Sequence, residues 1–178
     1  MKYALALMVC FAFAKTALAQ NKITGNVIPE YGQTFKVPNP DINTEKDQEF
    51  KVVFDIADSP EDPSQLNRYF ETVARFLNMH ENAGVPLENL KPVMVVHGSA
   101  AYGLLKNEFY TEEFGTDNPN LELLDALHNA GLQVVLCGQT AGSRDITKEK
   151  RWEHTQLALS AMTALIQFQN KGYQLISF

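Results

Sequence analysis

The chain has 178 residues, with 21 Asp and Glu against 15 Lys and Arg, a formal charge of −6. That length supports one domain burying roughly two thirds of its unfolded surface. An acidic balance without a Lys/Arg cluster disfavours nucleic acid and anionic membranes as partners, so the chemistry is sought in a small molecule or a protein.

The N-terminus reads as an export signal. Lys2 gives a positive start, residues 3–14 are an unbroken apolar run, and Ala17-Leu18-Ala19 has the small-x-small form of a cleavage site before Gln20. The run is too short to span a bilayer. Cys10 lies inside it and follows Val9 rather than Gly or Ala, so it does not read as a lipid-modified cysteine. Residues 1–19 are therefore expected to leave as a signal peptide, placing the protein in the periplasm or outside the cell. Cys137 then remains as the sole thiol.

Residues 20–49 are polar, carry Pro29, Pro38 and Pro40, and show no sustained period. They read as an extended lead-in that lies across the surface of a domain spanning 50–178. Within that domain the pattern predicts a buried strand over 51–57 and a turn over 58–63. A helix over 64–83 follows, capped by Ser64, with Leu66, Phe70, Val73, Leu77 and His80 on one stripe. A second strand over 92–96 ends at His97-Gly98, and a short helix over 99–105 comes next. The acidic and aromatic stretch 107–117 reads as mobile, with Phe109, Tyr110 and Phe114 suited to a protein interface. A helix over 121–129 closes at Gly131, a third strand covers 132–136, and a fourth covers 155–159. A last helix over 161–170 ends before Gly172, and a fifth strand runs from 173 to 178. Short apolar runs separated by helices predict an α/β fold, a mainly parallel sheet with helices on both faces. Ligands of such sheets sit beyond the carboxyl ends of the strands.

Two segments converge there. His97-Gly98-Ser99-Ala100-Ala101-Tyr102-Gly103 follows the second strand and Cys137-Gly138-Gln139-Thr140 follows the third. If those strands are neighbours, His97 and Cys137 lie about one strand spacing, roughly 5 Å, apart. Backbone N–H groups after Cys137 and a nearby imidazole favour a thiolate, the nucleophilic form of cysteine. Gly98 and Gly138 permit close backbone approach. With Ser99, Tyr102, Gln139 and Thr140 they would form an anion-binding nest for sulfite, thiosulfate or a persulfide terminus. The bland readings are a small core cysteine and a hydrogen-bonded structural histidine.

No nucleotide fingerprint is present, and no cofactor is expected. His80 ends a helix stripe, His128 sits in the last turn of another helix, and His154 beside Trp152 reads as solvated. A metal site of His97, Cys137 and His154 has no close ligand pair to support it, so no metal is expected either. Asp55 and Asp58 read as turn and capping groups.

The segments KVVFDIAD, LNRYFETVARFLN, PVMVVHGSAAYGLL, LLDALHNAGLQVVLCGQTAGSRDI and ALSAMTALIQFQNKGYQLI, over 50–178, resemble the DsrE/DsrF-like family, the sulfur-relay fold. The resemblance implies a three-layer α/β/α sandwich with a five-stranded parallel sheet ordered fourth, third, second, first, fifth. It also implies a homo-oligomer, and a cysteine in the place of Cys137 that carries persulfide sulfur between donor and acceptor proteins. Three functions follow as expectations. One is a periplasmic sulfur carrier or sulfurtransferase, with Cys137 as acceptor and His97 orienting it. Another is a binding module for a small anion or a protein, in which Cys137 only packs. The last is a thiol redox sensor.

Overall fold

The computed structural model describes residues 22–178. The signal segment, its cleavage site and Cys10 lie outside the described residues. In chain order the elements are β1 (Lys22–Ile23), β2 (Thr34–Phe35), β3 (Phe50–Ile56), α1 (Arg68–Asn82) and β4 (Leu90–Val96). A 3-10 helix over Gly98–Leu104 leads to α2 (Asn107–Phe114), α3 (Leu121–Asn129), β5 (Gln133–Cys137) and α4 (Gly138–Ser143). The chain ends with β6 (Thr155–Ala158), α5 (Ala161–Asn170) and β7 (Gln174–Ser177).

Five strands form one parallel sheet in the order β6-β5-β4-β3-β7. This is the α/β sheet, and the strand order, that the family resemblance implies. The runs FKVVFDI, LKPVMVV and QVVLC suit central strands because β-branched side chains pack well on both faces of a covered sheet. Alternation then sorts each strand between two cores. Phe54, Met94, Val96 and Leu136 face α1 and α3, where they meet Phe70, Leu77 and Leu124. Val53, Val93, Val95, Val135 and Cys137 face α5 and pack under Ala161 and Ala164. The lead-in crosses α1: buried Asn78 accepts from the Ile28 N–H at 2.9 Å and donates to the carbonyls of Ile28 and Tyr31 at 3.0 and 2.9 Å. β1 and β2 pair antiparallel beside that contact.

Local chemistry moves two features from their expected places. The first helix starts at Arg68, not Ser64, because Asn67 is its cap and accepts from the Tyr69 N–H at 2.9 Å. Ser64 instead donates its N–H and hydroxyl to Asp62, at 2.9 and 2.7 Å, closing a turn ahead of the helix. The stretch read as mobile is helical over Asn107–Phe114 and ends at left-handed Gly115. Tyr110 is buried with its hydroxyl donated to the Pro63 carbonyl at 2.8 Å, and Phe114 packs on Tyr102 and Tyr110. Its aromatic rings thus serve their own domain. His154, read as solvated, is exposed, and its ring stacks on His128 with centroids 3.8 Å apart, edge-on to buried Trp152. The Trp152 indole donates to Asp125 at 2.8 Å.

Candidate functional site

The site lies at the carboxyl ends of β3, β4 and β5. Val96 pairs with Leu136, so His97 and Cys137 are level with each other on adjacent strands. His97 keeps an extended backbone (φ −150°) and continues the alternation of Val93 and Val95, on the face that β5 gives to Val135 and Cys137. The side chains of the pair make different bonds. His97 Nε2 lies 2.8 Å from Asp55 Oδ1, so the imidazole is held toward β3. Asp55, read from sequence as a turn or capping group, is a β3 residue that pairs this histidine.

Cys137 is 5% exposed and is the only cysteine among the described residues. It ends β5 and stands at the N-cap of α4, where the first N–H groups of a helix have no partner within the helix. Burial pushes its thiol up. The N–H and hydroxyl of Thr140, the Ala161 N–H at the start of α5 and the Gln139 N–H outweigh that effect and hold the thiol below its ordinary value.

Thr140 connects the two predicted segments. Its Oγ1 accepts from the Gly98 N–H at 3.4 Å, which leaves the hydroxyl proton for Cys137. Gly98 is required for that approach: it has φ +56°, and a Cβ there would lie 2.5 Å from the Ala57 carbonyl oxygen. At Gly138 a Cβ would lie 2.5 Å from the Ala158 oxygen, so only glycine lets α4 start against the end of β6. Gln139 Nε2 ties the same corner to the Leu159 carbonyl at 3.1 Å.

Of the binding residues expected from sequence, Gln139 and Thr140 donate to Cys137, Gly138 follows it in the chain, and Gly98 is linked to it through Thr140. Ser99 and Tyr102 are engaged elsewhere. The Ser99 hydroxyl accepts from the Ser59 N–H at 2.9 Å while its carbonyl accepts from Ser59 Oγ at 2.8 Å. Tyr102 lies beneath the Arg144 guanidinium, 4.7 Å from the ring centroid, and packs on Phe114. Sequence reasoning missed Ala161. The one signal for it was Ser160, a cap residue whose Oγ accepts from the Thr163 N–H at 3.0 Å and so fixes the start of α5.

A groove of about 370 Å³ opens beside Gly138, with Ala141, Ile146 and Leu157 on its apolar wall and Asp145, Lys148 and Arg151 on its charged one. Among the described residues, no three His, Cys, Asp or Glu side chains gather as a metal site, and no helix is long and apolar enough to cross a membrane.

One solved structure agrees with this architecture, and a second is reported beside it. The protein of unknown function MTH1491 from Methanobacterium thermoautotrophicum superposes with a TM-score of 0.56 at 15% identity, covering 73% of this chain and 100% of its own. The ychN protein from E. coli gives 0.49 at 15% identity, covering 72% and 99%. No curated protein matches the chain. The family model that matches residues 51–178 spans every strand of the parallel sheet and both halves of the cysteine site, and the chain belongs to the DsrE/DsrF-like family.

Proposed function

We propose that the protein is an exported sulfur carrier that accepts sulfane sulfur on Cys137. The family supplies a sulfur-relay-type fold. The observation that carries the finer reading is the set of donors around Cys137, which outweighs burial and favours the thiolate. In the transfer, the Cys137 thiolate bonds to the outer sulfur of a polysulfide. The adjoining S–S bond breaks, and its electron pair leaves on the shortened polysulfide anion. No oxidant is consumed, and the new persulfide terminus faces the same N–H and hydroxyl donors.

Asp55 holds His97 on the same face, one strand away, as a positioning pair rather than a direct partner of the sulfur. Because Cys137 is 5% exposed, a donor reaches it only when the corner of Gly138 and Leu159 loosens. That burial also favours a second reading, a binding module in which the thiol only packs.

Intact-mass analysis separates the two. After exposure to polysulfide, the wild type is expected to gain the mass of one or more sulfur atoms, and Cys137→Ser none. No gain of mass by either protein would leave the binding module. Export is part of the same proposal, and N-terminal sequencing of secreted protein is expected to begin at Gln20.

A further inference from the structure

Among the described residues, Thr155 Oγ1 is the one buried side-chain polar atom with no hydrogen-bond partner. Thr155 is 7% exposed and belongs to β6, where it pairs with Val134. It lines a groove of about 350 Å³ together with Lys106, Lys148, Arg151, Trp152 and the carboxylates Glu149 and Glu153. A buried hydroxyl left unpaired costs more than a paired one gains, so this orphan marks a place where a ligand completes the protein's own bonding.

The fold gathers here cations that the sequence keeps apart. The Lys106 N–H donates to the Lys150 carbonyl at 2.9 Å and Leu105 bridges to Arg151, which lays the loop after α4 against the chain before α2. Lys106 thereby joins Lys148 and Arg151 in one groove. None of the three enters an ion pair of the described residues, which join Lys51 to Glu49, His97 to Asp55 and Lys150 to Asp145. Glu149 is held below the usual carboxylate range first by its own N–H and the Thr147 hydroxyl, and only then by Lys148 and Arg151. Its bonds are thus to its own turn, and Glu153 is exposed. Three cations against two carboxylates leave the groove positive in a chain of −6, which selects an anion. A guanidinium fork, two ammonium groups and a hydroxyl donor match the oxygens of an oxyanion. The volume far exceeds the ~30 Å³ share of one water, so a polyatomic ion fits.

We propose that this groove binds a small oxyanion of the phosphate and sulfate class, with Lys106, Lys148 and Arg151 balancing its charge and the Thr155 hydroxyl donating to one of its oxygens. The site is separate from the sulfur chemistry, since Val134 lies in the core facing α1 and α3 and Cys137 in the core facing α5. Trp152, the one tryptophan of the chain, lines the groove, so its emission reads the site. Titration of the full protein with inorganic phosphate or sulfate, at an ionic strength held constant with sodium chloride, is expected to give a saturable change in emission and a rise in melting temperature. Cys137→Ser is expected to bind as the wild type does. Lys106→Gln and Arg151→Gln are each expected to weaken binding by about tenfold, the scale of a hydrogen bond to an ion. Should either fail to fold, Lys148→Gln reads the same loss from an exposed side chain. Thr155→Val keeps the shape and removes the unpaired hydroxyl, so the free protein should melt no lower than the wild type while its affinity falls by a similar factor. An emission change that chloride reproduces, or one that does not saturate, would mean an adventitious ion only and would overturn the proposal. So would binding that these substitutions leave unchanged, or binding to anionic lipid vesicles with none to the free ions.

Discussion

Gly98→Ala is expected to lower stability by about 3 kcal/mol, the sum of the left-handed backbone cost for a residue with a Cβ and the cost of overpacking. The observations behind it are φ +56° and the 2.5 Å approach of a Cβ to the Ala57 oxygen. Relief by movement is blocked because the same carbonyl accepts the Ala100 N–H at 3.0 Å and Ser99 is clasped to Ser59. Thermal unfolding should show a fall of about 6–12 °C in Tm for a domain of this size. The site should suffer in parallel, since Gly98 presents the N–H that Thr140 accepts. A variant that melts within two degrees or so of the wild type, on that same scale, would mean that the loop after β4 yields without strain.

Thr140→Val should slow alkylation of Cys137 at neutral pH by about tenfold, because a hydrogen bond to an ion contributes about 1.5–3 kcal/mol. Valine keeps the shape of threonine and the backbone N–H, so the loss isolates the hydroxyl among the groups that lower this thiol. The midpoint of the rate against pH should rise in the variant, and Thr140→Ser should restore it. A merely structural Thr140 would change the melting temperature without moving that midpoint. The sign for stability follows from the same shift. A thiol held low in the folded state contributes stability that is present above its unfolded value, near 8.5, and is lost as pH falls through the folded value.

Much of the fold was legible because strands buried on both faces announce themselves. VVF, VMVV and VVLC are unbroken apolar runs, and the glycines and caps between them fixed most boundaries to within a residue or two. The misreadings are places where a side chain is claimed by a group that the local pattern does not single out. Ser64 looked like a cap until Asp62 claimed it, and Asn67 took that role while also donating to the Asp58 carbonyl. The 107–117 stretch looked mobile because its aromatic spacing is irregular. Its order comes from Pro63 and Tyr102, remote in sequence.

At the site, strand-end position found Cys137, Gly98 and Thr140, since alternation and glycine placement are local signals. It did not reveal that His97 turns to Asp55, because both neighbours of β4 offered a partner and only the packed structure chooses between them. Nor did it bring Ala161 beside Cys137. That contact depends on where α5 lands on the sheet, which a single sequence does not encode locally.

The most direct measurement is the rate of Cys137 alkylation in the wild-type protein as a function of pH, read by intact mass with Cys137→Ser as the blank. If the thiolate is held by Thr140, Ala161 and Gln139, the midpoint falls below about 8.5, the unperturbed thiol value. A midpoint at or above that value would make Cys137 a packing residue and remove the sulfur carrier.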